Sequence, residues 1–307
     1  MHVHHIALIG ANSRIGPAIL TALLDSPSKP HIAILLRPSS KPVPSHPRIK
    51  TITIPSDPPT TSDLIGVLTG IDSLVCALNP SELETQRRLA DACVVAEVGR
   101  YIPADYGSVR SDDPVVLDFL PNFRNKQLVR EHCQRLAEEN PEFTWTSLIT
   151  GHFFDYGLRT ELLGFDLEKG KAMIFDGGGD RWSTSTVGQI GRAVAAVLEK
   201  DDESTANRIL LVQSFCVTQL EVLEAIESVR GSKSKLTRKE VRSKEYIEEK
   251  GREVEKGDLE SVEELVAVLG IKRANWKGKE EFANELLGLE EENLEDVVAE
   301  VLRDMVR

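Results

Sequence analysis

The chain has 307 residues, of which 41% are hydrophobic, enough for about two domains and a sizeable core. Lys and Arg number 37 against 49 Asp and Glu, and the formal net charge of -12 repels phosphate backbones, which argues against nucleic acid as a partner. No apolar run reaches the roughly 18 residues that a membrane span needs, and Met1-His2-Val3-His4-His5 leads straight into Ile6-Ala7-Leu8-Ile9 without a signal-peptide pattern, so a cytoplasmic protein is expected.

Strand and helix signals alternate through residues 1–150. Residues 3–9 read as a strand, and 14–25 as a helix with Ile15, Ala18, Ile19 and Leu23 at helical spacing. Ser26-Pro27-Ser28-Lys29-Pro30 stops that helix. Strands follow at 31–36, 49–54 and 73–78, with a short helix around 64–68. A helix over 82–97 leads to a strand at 100–102, a helix over about 121–139 and a strand at 144–149. Beyond Gly151 the pattern loosens. It reads as a short strand at 173–175, a helix at 187–198, a strand at 209–216 and a helix at 218–229. From about 238 the chain is charged and reads as helical, with stripes Leu265, Val266, Leu269 and Val297, Val298, Val301, Leu302. The expectation is an α/β fold: a Rossmann-type doubly wound parallel sheet over 1–150 and a smaller α+β substrate domain over 151–307.

Cys76, Cys93, Cys133 and Cys216 lie in apolar segments without metal-ligand spacing, and read as buried reduced thiols. His2, His4 and His5 alternate along the first strand, but no acidic or cysteine neighbour supports a metal site.

Two motifs point to a dinucleotide. Gly10-Ala11-Asn12-Ser13-Arg14-Ile15-Gly16 stands between the first strand and first helix, where backbone N–H groups and a helix N-terminus meet a pyrophosphate. Ser13 or Arg14, depending on alignment, replaces one glycine, and the Ser13 hydroxyl is suited to a phosphate oxygen. Arg37 follows Gly16 by about 20 residues, where an NAD binder carries a carboxylate; with Ser39, Ser40, Lys41 and Arg14 it suits a 2′-phosphate, so NADPH is the expected cofactor.

Gly99-Arg100-Tyr101-Ile102-Pro103-Ala104-Asp105-Tyr106-Gly107-Ser108 closes the fifth strand. This segment resembles the Arg-Phe-Ile-Pro-Ser-Glu-Phe-Gly stretch of isoflavone, phenylcoumaran benzylic ether and pinoresinol reductases. Its Tyr and Asp forms are similar to fungal NmrA-like, isoflavone-reductase-like proteins of the CipA kind. That resemblance implies an atypical short-chain dehydrogenase with the site in an interdomain cleft. It implies cofactor contacts at Pro103 and Lys126, a substrate contact at Tyr106, and a monomer or homodimer. It also assigns a catalytic lysine to the helix of Pro121-Asn122-Phe123-Arg124-Asn125-Lys126, matching Lys126. Periodicity agrees independently: Lys126 falls inside the stripe of Phe123, Val129, Cys133, Leu136 and Ala137. Gly151-His152-Phe153-Phe154-Asp155-Tyr156-Gly157 resembles the family's turn on the substrate side. There His152 can hydrogen-bond a substrate and Phe153, Phe154 and Tyr156 can wall a pocket, although core packing accounts for these aromatics equally well. Tyr246 and Lys250 match a Tyr-x-x-x-Lys pair but lie in the charged C-terminal region, outside the context such a pair requires.

The leading expectation is an NADPH-dependent reductase of a small aromatic or polyketide-like metabolite, with Lys126 as general acid or base. A non-catalytic NADP(H)-sensing regulator and a redox-neutral dehydratase, cyclase or isomerase are the alternatives.

Overall fold

Short runs that are apolar at every position form the centre of the molecule, because a strand covered by helices on both faces has no wet side. The computed structural model describes residues 4–200, 202–231 and 235–305; Val3 of the expected first strand and His2 of the histidine trio lie outside them. The first half runs β1 (His5–Ile9), α1 (Gly16–Asp25), β2 (His31–Leu36), β3 (Ile49–Thr53), α2 (Thr61–Leu68), β4 (Ser73–Cys76), α3 (Leu83–Val95), β5 (Arg100–Ile102), α4 (Pro114–Phe119), α5 (Phe123–Glu139) and β6 (Thr144–Ile149). The second half runs β7 (His152–Phe153), α6 (Phe154–Arg159), β8 (Phe165–Asp166), β9 (Lys171–Phe175), β10 (Trp182–Ser185), α7 (Val187–Glu199), α8 (Asp202–Thr205), β11 (Arg208–Leu211), β12 (Phe215–Val217), α9 (Gln219–Arg230), β13 (Thr237–Val241), α10 (Ser243–Glu255), α11 (Leu259–Arg273), α12 (Asn284–Leu287) and α13 (Leu294–Met305).

The main sheet has seven strands in the order β11-β6-β5-β4-β1-β2-β3, and every neighbouring pair is parallel. The chain runs outward from β1 to β3 and then crosses back to β4 beside β1, so the strand order reverses between β1 and β4 and opens a crevice beyond their carboxyl ends. Ile6, Ala7, Leu8 and Ile9 of β1 are all buried, whereas the edge strand β3 buries none of its residues. The doubly wound parallel sheet expected from the sequence is therefore present. Residues beyond 150 also contribute to it: β11 extends the sheet from β6, and α7 packs on α1. Two smaller three-stranded sheets, β12-β10-β7 and β13-β9-β8, stand over a second apolar core that includes Phe154, Trp182, Phe215 and Trp276.

Three local readings need correction. The expected strand at 209–216 is two strands in different sheets. Between them the Gln213 backbone N–H donates to Asn284 Oδ1 at 3.1 Å, and Ser214 Oγ accepts from the Thr186 backbone N–H at 3.0 Å. The stretch from 238 begins not as helix but as β13, an edge strand whose Arg238, Lys239 and Glu240 are exposed, so it shows no apolar alternation. The helix α4 went unread; Asp113 caps it by accepting from the Val115 N–H, and Pro114 supplies its first residue. Cys76, Cys93 and Cys133 are buried, but Cys216 is only partly so.

Candidate active site

A cleft of about 550 Å³ opens at the carboxyl ends of β1, β4, β5 and β6, and Val262, Glu263 and Val266 of α11 form part of its wall. Its floor begins with the glycine turn. Gly10 has φ +87°, and a Cβ there would stand 2.5 Å from the Ala77 carbonyl oxygen, so only glycine lets the chain turn this tightly against β4. A Cβ on Gly16 would stand 2.3 Å from the Gly10 carbonyl oxygen, which fixes the start of α1 against the turn. The Ser13 N–H donates to Gly10 O at 2.9 Å, and Ser13 Oγ accepts from the Gly16 N–H at 3.1 Å. The Ser13 hydroxyl thus takes one N–H of the helix start and keeps its own proton to donate. Ile15 is buried beneath the turn, and exposed Asn12 donates from Nδ2 to the Lys41 carbonyl oxygen at 2.8 Å.

At the end of β2, Arg37 is half-exposed, with Nη1 3.5 Å from Glu82 Oε2. Ser39 and Lys41 are exposed beside it, and the Arg37 N–H donates to Ser40 Oγ at 3.1 Å. These groups form a rim next to the glycine turn. Arg14 points the other way. Its Nη2 donates to Tyr156 Oη at 2.7 Å and to Glu263 Oε1 at 3.0 Å, and its guanidinium carbon lies 3.6 Å from the Tyr156 ring centroid. Tyr156 Oη donates in turn to Glu263 Oε2 at 2.9 Å. The turn that was expected to serve the cofactor alone is thereby tied to the substrate-side wall and to α11.

The deepest part of the cleft lies beside α5. Lys126 is 7% exposed, and its Nζ sits 4.3 Å from the centroid of the Phe123 ring. No hydrogen bond from a described residue holds that ammonium. Burial pushes its pKa down to about 8; the Asp105 charge opposes this and the Arg130 charge adds to it. Tyr106 is buried, with φ +40° and an unpartnered hydroxyl, and it lines the cleft with Asp105 and Ser108. Pro103 is buried just before them and does not reach the lining.

On the opposite wall, His152 and Phe153 line the cleft. His152 is buried, and burial pushes its pKa down to about 4, so it is neutral near pH 7. Its Nδ1 donates to the Phe153 carbonyl oxygen at 3.2 Å, which leaves Nε2 as an acceptor. Phe154 does not belong here. It is fully buried in the second core, edge-on to Phe215 at 4.9 Å between ring centroids. Phe154 is the first residue of α6, and the turn from β7 into that helix points its ring into the second core. Tyr246 and Lys250, both on α10, bond Glu264 and lie apart from the cleft.

Sequence reasoning left Asp105, Arg130 and Glu263 without a role. Asp105 was visible at the end of the strand motif, and Arg130 stands one helical turn after Lys126. Glu263 gave no local signal, because α11 brings it to Arg14 from the far end of the chain.

The NmrA-like family model matches residues 3–270. The oxidoreductase aprR of Aspergillus flavus is 27% identical over 302 residues, covering 97% of this chain and 98% of aprR. Among solved structures, AtPrR2 with NADP+ and (+)-pinoresinol superposes with a TM-score of 0.74 at 15% identity, covering 97% of this chain and 99% of that one. The binary complex of leucoanthocyanidin reductase with NADPH from Vitis vinifera gives a TM-score of 0.74 at 17% identity, with the same coverage of 97% and 99%.

Proposed function

Since the chain belongs to the NmrA-like family, we propose that it is an NADPH-dependent reductase of a small aromatic or polyketide-like metabolite, with Lys126 as the proton donor or acceptor. The observation that carries this reading is a lysine buried at the strand ends, without an acceptor, on an apolar wall. A buried ammonium is costly, and a pKa of about 8 keeps it mostly protonated at pH 7 yet ready to give the proton up. The similarity to oxidoreductase aprR, and to reductases whose structures hold NADP+ or NADPH, supports the same reading.

The residues present fit the cofactor. The concave turn at Gly10 and the start of α1 offer N–H groups to a pyrophosphate, and Ser13 adds a hydroxyl proton. Arg37, with Ser39 and Lys41, offers a basic rim to a 2′-phosphate. NADPH supplies the hydride when bound. Lys126 holds a proton at Nζ and passes it to the substrate oxygen as negative charge develops there. His152 offers Nε2 to a substrate hydroxyl. The rings of Phe123, Phe153 and Tyr156 and the side chains of Val262 and Val266 exclude water around an aromatic substrate.

Calorimetric titration with NADPH and NADH, followed by NADPH consumption across a panel of aromatic and polyketide-like carbonyl compounds and phenols, tests the assignment. NADPH should bind more tightly, and at least one such compound should be reduced. Equal affinity for both cofactors, or product formed without NADPH oxidation, would overturn it.

A further inference from the structure

Asp105 is 4% exposed, and its two carboxylate oxygens are treated differently. Oδ2 is fully engaged: it accepts from Arg130 Nη1 and from Ser147 Oγ, the latter at 2.6 Å. Arg130 is itself anchored by Ser111 Oγ at 2.8 Å. Oδ1 is buried with no partner. An open acceptor inside a protein is expensive, so it calls for a group that arrives later.

Gly107 shows where that oxygen faces. A Cβ built on Gly107 would stand 2.7 Å from the Val109 carbonyl oxygen, 3.4 Å from Asp105 Oδ1 and 3.5 Å from Lys126 Nζ. The open oxygen and the unheld ammonium therefore both face the bare Cα of Gly107, with the Val109 carbonyl oxygen closing the third side and no side chain between them. One buried group lacks a donor, the other lacks an acceptor, and their charges are opposite. We propose that Asp105 is a positioning residue: its open oxygen draws the Lys126 ammonium off the Phe123 ring and holds it in the proton-donating form, while Arg130 and Ser147 anchor the other oxygen. This rests on the reductase reading only for its consequence in turnover; the pairing itself is a property of the chain.

Other titratable groups face the cleft: Tyr106 from the same loop, Arg14 from the glycine turn, His152 and Tyr156 after β6, and Glu263 on α11. Arg14, Tyr156 and Glu263 are bound to one another, and His152 is neutral near pH 7. Asp105 and Arg130 are the two whose charges bear on Lys126, with opposite signs.

The test needs no substrate. Protein carrying 13Cε-labelled lysine is titrated by NMR, with the Lys126 resonance identified by its loss in Lys126→Met. Asp105→Asn should lower the titration midpoint by about one pH unit or more, the usual scale for a neighbouring opposite charge. Arg130→Gln should raise it. Asp105→Glu, which keeps the carboxylate, should return the midpoint toward that of the unaltered chain. Thermal melts accompany each variant, and Asp105→Glu with Arg130→Gln carries the test if Asp105→Asn does not fold. If reduction is observed, the alkaline limb of kcat should move with the NMR midpoint. A midpoint unmoved by Asp105→Asn, or moved the same way by Asp105→Asn and Arg130→Gln, overturns the proposal. An absence of turnover with the opposed NMR shifts intact overturns the reductase reading alone.

Discussion

Lys126→Met should inactivate the protein and stabilise it at the same time. Methionine keeps most of the stem and removes the charge, so the substitution isolates the ammonium. Burial lowers the lysine pKa from 10.5 to about 8, and each unit is worth about 1.4 kcal/mol. The charged form is therefore disfavoured in the fold by roughly 3 kcal/mol as an upper bound. Because the folded pKa lies below the unfolded one, the unfolded chain binds the proton more tightly. This penalty is fully present below about pH 8 and fades as pH rises toward 10.5. Urea unfolding near pH 7 should thus show Lys126→Met more stable by up to about 3 kcal/mol, and near pH 9.5 by clearly less. Turnover should fall about 100-fold or more. A variant less stable than the unaltered chain near pH 7, or stabilised equally at both pH values, would refute the reasoning that the lysine is buried against its own solvation.

Phe154→Ala should cost about 3–5 kcal/mol in chemical denaturation, because the ring is core rather than pocket wall; a variant that keeps its stability but changes KM would restore the ring to the cleft. Arg37→Asp should weaken NADPH binding in calorimetry and narrow the preference over NADH. Glu82→Gln should tighten NADPH, since Glu82 now competes for the Arg37 guanidinium; an unchanged Kd in both variants would remove Arg37 from the cofactor site. Glu263→Gln should loosen the bridge from the glycine turn to α11 and raise KM for the smaller substrates more than it changes kcat, as read from steady-state kinetics; equal loss in kcat would assign Glu263 to the chemistry instead.

What could be read in the sequence follows from how local each signal is. The segments 31–36 and 144–149 were read as strands with the observed bounds, because the first is apolar from Ile32 onward and the second mixes small hydroxyl residues with large apolar ones that a covered strand can bury. Lys126 was found because the family resemblance assigns a catalytic lysine to this helix and the 3.6-residue apolar stripe agrees; the helix turns it inward with Phe123, Val129 and Cys133, and it also buries Arg130, which the stripe did not single out. β13 was lost because an edge strand with a wet face carries charges that read as helix. Phe153 and Phe154 could not be told apart, since the passage from a two-residue strand to a helix decides which ring enters the core. Glu263 meets Arg14 only through tertiary packing, and no window of sequence contains both.

Two buried cations on neighbouring elements show how the fold separates stability from chemistry. Arg100 begins β5, at the amino end of the strand. Its guanidinium donates to Thr144 Oγ1 at 2.7 Å and to the hydroxyls of Thr146 and Thr205, each at 2.9 Å. That charge is paid for in hydrogen bonds, and it carries no open site. Lys126, at the carboxyl end, has only an aromatic face beneath it. The loop that follows β5 beside it leaves Asp105 Oδ1, Tyr106 Oη and Ser108 Oγ without partners. Each such group costs roughly 1–3 kcal/mol when nothing meets it. A chain able to give Arg100 three hydroxyl acceptors beside the same strand is not short of hydroxyl groups. Three of the unmet groups lie where β5 ends and the cleft begins: Asp105 Oδ1 faces the Lys126 ammonium across Gly107, and Tyr106 Oη and Ser108 Oγ are left for a ligand oxygen to meet.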